Sequence, residues 1–262
     1  MRYLKSYRPA RGFSTVVNRG DGELALTSFG MLALERGQSH SGESGANELV
    51  FVVLGGVCDV RGDGFAFASV GGRRDVFDGK PHAVYLPRGV RYTVTAQTDV
   101  ELAWTAAPSD LDTPAYVIAP EAVKSAHIGK ENYQRDAHLV LTDAFPSRHF
   151  FIGEAFVPSG NHASFPPHRH DADNLPVEVD MEEIYFFRFK PEQGYGIQRL
   201  YTEDGSLDVA CTVRHNDATL LPRGYHPVVN APGGTMYYLW IMAGETNRRF
   251  ISVVDPQYQH LT

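Results

Sequence analysis

The sequence predicts an all-β protein built as two tandem domains of similar design. Two observations carry this: many short β-prone runs between breakers, and an internal repeat with a period near 135 residues. The runs lie at residues 49–54, 83–86, 92–95, 183–187, 218–221 and 237–241, and each is bounded by Gly, Pro or Asp. Branched and aromatic side chains pack well on a pleated surface, and the breakers supply the turns between strands. The 25 glycines and 16 prolines are spread along the chain rather than clustered. Helical periodicity is nearly absent; only residues 120–125 read as a turn or two of helix. In the repeat, Ala83-Val-Tyr-Leu-Pro-Arg-Gly89 returns as Ala218-Thr-Leu-Leu-Pro-Arg-Gly224. At the same offset Glu48 aligns with Glu183, and one residue further Trp104 aligns with Trp240. The domains are therefore placed at 1–115 and 116–262, joined in or just beyond the Pro/Asp-rich stretch 108–114.

Composition narrows the function. The 262 residues are 43% hydrophobic and 21% charged, enough for a substantial core without disulfides. A net charge of −7 argues against nucleic acid as the main partner, because phosphate-binding surfaces carry a basic excess. No apolar run approaches the about 18 residues of a membrane-spanning helix, and the first ten residues lack the apolar stretch of an export signal. The expectation is a cytoplasmic protein in which Cys58 and Cys211 are two buried, reduced thiols. Exposed edge strands would suit a homodimer.

One constellation carries chemistry. His168 and His170 stand at i and i+2, which in a strand puts both imidazoles on one face. Glu183 opens the next apolar run, and the turn Pro222-Arg-Gly-Tyr-His226 delivers a third imidazole. Three imidazoles and a carboxylate suit one divalent ion, Zn²⁺, Mn²⁺, Fe²⁺ or Ni²⁺, with positions left for substrate. The sequence does not choose among these metals.

These residues, with Asn230 four positions after His226, resemble the two motif blocks of the cupin superfamily. That resemblance implies a jelly-roll barrel, and the repeat makes it a bicupin. Residues 165–176 (Phe-Pro-Pro-His-Arg-His-Asp-Ala-Asp-Asn-Leu-Pro), 198–202, 221–227 and 237–244 resemble the 5-deoxy-glucuronate isomerase family of myo-inositol catabolism. In the first half, residues 71–77 and 81–85 resemble it too. Between His170 and Glu183 lie twelve residues, longer than in a general cupin, as that family's pattern implies. The insert leaves Glu178, Glu182 and Glu183 as possible ligands; Glu183 is preferred, because it aligns with Glu48 and directly precedes the apolar strand. The first half departs from the pattern: Arg91 stands at the position of His226, and only His40 shortly precedes Glu48. A guanidinium cannot hold a cation, so the first barrel is expected to lack metal.

The resemblance implies aldose–ketose isomerisation of 5-deoxy-D-glucuronate to 5-dehydro-2-deoxy-D-gluconate. The metal would act as a Lewis acid and a general base would move the proton, without nicotinamide or flavin. A cation should meet the carboxylate of this sugar acid; Arg199 is the first choice, with Arg188, Lys190 and Arg223 as rivals. Tyr185 shares strand parity with Glu183 and is placed in the cavity. Glu182, Tyr185 and Tyr238 are the acid/base candidates. A metal-dependent cupin dioxygenase and a non-enzymatic sugar-binding cupin are the alternatives.

Overall fold

The computed structural model describes residues 2–262. In the first half, six strands run in the order Tyr116–Ile118, Ala83–Leu86, Asn47–Gly55, Val100–Pro108, Ser28–Leu34 and Gly12–Val17. A second sheet orders Ser39–Glu43, Arg91–Ala96, Val57–Gly62 and Phe65–Gly71. Leu32, Phe51, Val60 and Val94, drawn from both sheets, fill the apolar space between them. The second half repeats this plan. Its large sheet orders Leu4–Ser6, Asp217–Leu221, Glu182–Lys190, Thr235–Ala243, Phe150–Val157, Arg135–Leu141 and Lys124–Ile128. Its small sheet orders His162–Ala163, Val228–Asn230, Tyr195–Tyr201 and Asp208–Arg214, and a short ribbon pairs His168–Arg169 with Val253–Val254. The protein is all-β, and each of the six β-prone runs is a strand.

Two expectations need correcting. Residues 120–125 form no helix: Ala122 and Val123 close tight turns on Ala119 and Pro120, and the chain enters a strand at Lys124. Pairing that strand with Arg135–Leu141 outweighs a helix too short to repay its nucleation. The sheets also do not divide cleanly at 115/116. Leu4–Ser6 joins the second half's sheet beside Asp217–Leu221, and Tyr116–Ile118 joins the first half's sheet beside Ala83–Leu86. Cys58 is buried in the first core and Cys211 is half-buried, both as free thiols. No helix among the described residues is long and apolar enough to cross a membrane.

The two large sheets pack against each other at a seam, and strand alternation sorts their side chains. Along Asn47–Gly55, Val50, Val52 and Leu54 face the seam, whereas Leu49, Phe51 and Val53 face the first barrel's interior. Along Glu182–Lys190 the adjacent Glu182 and Glu183 must likewise point to opposite faces. Across the seam Phe29 meets Phe186, with ring centroids 5.2 Å apart. Gly30 and Gly153 lie under the indoles of Trp104 and Trp240; a Cβ at either would run into that ring and a main-chain oxygen.

Strand register corrects the repeat alignment by one residue. Trp104 lies opposite Phe51 and Trp240 opposite Tyr185. In the same frame Glu48, opposite Ala107, corresponds to Glu182, opposite Ala243. Leu49, opposite Leu86, corresponds to Glu183, opposite Leu221. Glu48 and Glu182 are thus the symmetric pair, and both work at the seam. Glu48 accepts the backbone N–H groups of Arg148 and His149, each at 2.8 Å, and the Tyr85 hydroxyl at 2.9 Å. Glu182 accepts those of Ala25, Leu26 and Thr27 at 2.5–3.1 Å. Each barrel's glutamate therefore caps the segment that leads into the other barrel's equivalent strand.

A third carboxylate completes the seam. Glu154, fully buried, takes a bidentate pair from Arg73 at 2.6 and 3.0 Å and a hydrogen bond from Tyr237 at 2.7 Å. Burial by itself would raise its pKa, but Arg73, with His138 and Tyr237, brings it below the usual carboxylate range. The stabilisation it provides is therefore present at neutral pH and lost as pH falls through that lowered value. Arg73→Ala or Glu154→Ala, each leaving an unpaired buried charge, is expected to cost about 3–5 kcal/mol in urea unfolding. The double variant should cost clearly less than the sum of the two.

Candidate metal centre

The centre lies inside the second barrel, where three chain segments converge. Glu183 comes from the large sheet, on the inward face of its strand. His168 and His170 come from the ribbon and the residue after it. The insert at 171–182 folds back so that the Met181 N–H donates to the His170 carbonyl, while His170 Nδ1 reaches the Met181 carbonyl at 2.5 Å. His226 follows the turn at Gly224, whose φ of 90° favours glycine. Asp171 accepts the Gly224 N–H at 2.7 Å, and Gln198 Nε2 donates to the His226 carbonyl at 2.6 Å, so both neighbouring segments hold this turn.

His170 Nε2 and His226 Nε2 stand 3.5 and 3.3 Å from Glu183 Oε2, and the three ligand atoms lie within 4.8 Å of one another. All three atoms are buried without a hydrogen-bond partner. Buried polar atoms are almost always paired, so three unpaired ligand atoms this close together are a donor set that could hold a metal ion. Tetrahedral ligands about 2.1 Å from an ion sit about 3.4 Å apart, matching these separations. The outer ring nitrogens are already engaged: Nδ1 of His168, His170 and His226 meet the carbonyls of Pro166, Met181 and Gly224. With Nδ1–H on a carbonyl, the Nε2 lone pair faces inward, the arrangement that metal-binding histidines use. Burial pushes the pKa of His226 well down and that of His168 down to about 4, keeping both in the neutral form that ligates. Burial also lowers His170, but the Glu183 carboxylate, the Met181 carbonyl and Asp171 together outweigh it and the net shift is upward.

His168 borders this cluster without joining its tight core. Its ring centroid is 5.0 Å from that of His226 and 6.4 Å from that of His170. His168 and Glu183 line a cavity of about 240 Å³ together with Ser164, Tyr185, Tyr238 and Arg135. Tyr185 and Tyr238 stack with centroids 4.4 Å apart, and the Tyr185 hydroxyl meets Ser164 Oγ at 2.5 Å. Burial raises the pKa of both phenols, so they stay protonated at neutral pH and act as donors.

The structure does not bring the other candidates here. Glu182 points to the seam, its carboxylate occupied by three backbone N–H groups, as adjacent strand positions require. Arg199 lies outside the cavity: it forms a bidentate pair with Asp208 at 2.8 and 2.9 Å and its guanidinium lies 4.0 Å from the Tyr201 ring centroid. Arg188 and Lys190 line a separate cleft at the seam, where Arg188 pairs with Glu101. Arg223 sits near Glu23, and Glu178 accepts the Asp171 N–H. In the first barrel, Arg91 is exposed beside Asp63, and Leu49 occupies the place of Glu183 within an apolar core. Sequence reasoning missed Arg135, Ser164 and the supporting Gln198. None carries a spacing signal, because three separate segments bring them in.

Comparison with known proteins fits this geometry. A 5-deoxy-glucuronate isomerase of Geobacillus kaustophilus is 39% identical over 217 residues, covering 82% of this chain and 79% of that protein. One from Bacillus subtilis strain 168 is 34% identical over 263 residues, covering 99% and 97%. The crystal structure of an IolB-like protein from Salmonella typhimurium superposes over 100% of this chain and 99% of its own, with a TM-score of 0.95 and 31% identity. The oxalate decarboxylase of Lactobacillus farciminis, at 10% identity and a TM-score of 0.68, covers 100% and 91% and shares the fold. The KduI/IolB family model matches residues 4–261, nearly the whole chain, and the chain belongs to that family.

Proposed function

We propose that this protein is a 5-deoxy-glucuronate isomerase, an aldose–ketose isomerase that converts 5-deoxy-D-glucuronate to 5-dehydro-2-deoxy-D-gluconate in myo-inositol catabolism. The observation that carries the reading is the trio of orphaned ligand atoms beside a small cavity, in a chain 34–39% identical to proteins of that activity. His170, Glu183 and His226, with His168 facing them, would hold one divalent ion. Bound there, that ion supplies Lewis-acid polarisation of the sugar's carbonyl and neighbouring hydroxyl.

The chain's own residues orient the sugar and shield it from water. The protonated Tyr185 and Tyr238 offer O–H donors to substrate oxygens, and Ser164 fixes the direction of the Tyr185 hydroxyl. The apolar wall of Leu139, Phe151, Trp240 and Met242 excludes water, which strengthens each of these contacts. Glu182 serves the seam and takes no part in proton transfer. The first barrel, with Leu49 in place of the ligand glutamate, is a supporting domain without a metal site.

Two measurements test this. Purified protein loaded with a divalent metal should convert 5-deoxy-glucuronate to its keto isomer without nicotinamide, flavin or oxygen uptake. Chelation should stop turnover and added metal restore it; an unchanged sugar, or consumption of oxygen, would refute the activity. In the metal assay, His170→Ala and His226→Ala should lower Zn²⁺ affinity by more than the about 10–100-fold typical of losing a supporting contact. Glu182→Gln should keep its bound metal while lowering the unfolding midpoint, because its backbone partners lose a charged acceptor.

A further inference from the structure

We propose that Arg135 binds the carboxylate of the sugar-acid substrate and so selects acids over neutral sugars at this site. The proposal rests on the isomerase reading for the identity of the substrate. Its structural basis is independent of that reading.

Arg135 opens the Arg135–Leu141 strand and is 9% exposed. It is the only Lys or Arg among the described residues that line the cavity shared by Glu183 and His168. Its Nη1 donates to the carbonyls of Tyr133 and Phe165, each at 3.3 Å, and no carboxylate pairs with it among the described residues. Among the described residues Arg73 is the other buried cation, and Arg188 and Arg248 are half-buried; all three are better served. Arg73 has Glu154, Arg188 has Glu101, and Arg248 donates to three carbonyls, those of Thr142, Phe145 and Phe150. A guanidinium keeps its charge at any physiological pH, so burying one without a counter-ion is costly unless a ligand supplies the anion. Its planar fork matches a carboxylate with two parallel hydrogen bonds.

Position supports the same assignment. His226 packs edge-on against Tyr185, with ring centroids 6.0 Å apart, Tyr185 stacks on Tyr238, and both tyrosines line the cavity together with Arg135. An open-chain uronic acid carries its carbonyl at one end and its carboxylate at the other. With the carbonyl end toward the His170–Glu183–His226 cluster, the carboxylate is directed along the tyrosines to Arg135. The cluster reads the reacting end and the arginine reads the acid.

The test separates this contact from the chemistry. Calorimetric titration of metal-free protein compares D-gluconate, which has a carboxylate and no carbonyl, with neutral sorbitol. The intact protein should favour gluconate at least about tenfold, and Arg135→Met should abolish that preference. Arg135→Lys, which keeps the charge but not the fork, should restore part of it. In turnover assays, Arg135→Met should lower kcat/KM for 5-deoxy-glucuronate about 100-fold, mainly through KM, with Zn²⁺ content unchanged. An intact gluconate preference in Arg135→Met would overturn the proposal. So would an equal loss of gluconate and sorbitol binding in both variants, which marks a merely structural role. If the intact protein prefers gluconate through Arg135 yet leaves 5-deoxy-glucuronate unchanged, the isomerase reading fails and the carboxylate site stands.

Discussion

Neighbouring residues on a β-strand point to opposite faces, and in the Glu182–Lys190 strand this places two glutamates in two different environments. Glu182 faces the seam and caps the main chain of Ala25, Leu26 and Thr27 from the first barrel. Glu183 faces the barrel interior and meets His170 and His226. A slip of one residue in this strand would exchange the two carboxylates and destroy both arrangements at once. The register is held by long antiparallel ladders to Thr235–Ala243 and Asp217–Leu221. The candidate metal centre therefore depends on strand pairing as much as on the residues that form it.

The seam and the centre follow the same rule for buried charge. At the seam, Glu48, Glu154 and Glu182 each find donors among backbone N–H groups or Arg73, so every carboxylate is satisfied inside the protein. At the centre, His170, Glu183 and His226 leave three atoms without partners, and Arg135 pairs with no carboxylate among the described residues. Satisfied charges hold the two barrels together, while the unsatisfied ones are those to which the proposed metal and substrate carboxylate are assigned. The first barrel lacks this contrast, because Leu49 and its neighbours make its interior apolar.

Much of the fold was legible because its signals are local. Alternating β-prone runs and Gly/Pro punctuation identify strands without knowledge of their partners, and all six runs proved to be strands. The repeat showed two similar halves, but its motifs could not detect the one-residue difference in strand offset. Glu48 therefore aligned with Glu183, although pairing makes it the counterpart of Glu182. Glu183 clusters with His170 and His226 because of its inward-facing position, not because of that alignment. The predicted helix at 120–125 failed for a related reason: the pairing that replaces it lies with residues 135–139.

By itself the sequence determined the fold class, the twofold repeat and the residue types converging on the centre. His-x-His, the glutamate before an apolar strand and the histidine after a glycine turn are short patterns, readable without a partner segment. Tertiary structure decided which neighbouring glutamate faces inward, that His168 stands at the edge of the cluster, and which of 24 basic side chains reaches the cavity. Arg199 sits within a suggestive motif yet pairs with Asp208 outside, while Arg135 has no motif and faces the site. The reason is physical: a cation's role depends on which carboxylates lie within hydrogen-bond reach and on how much water it has lost. Both are set by segments distant in the chain.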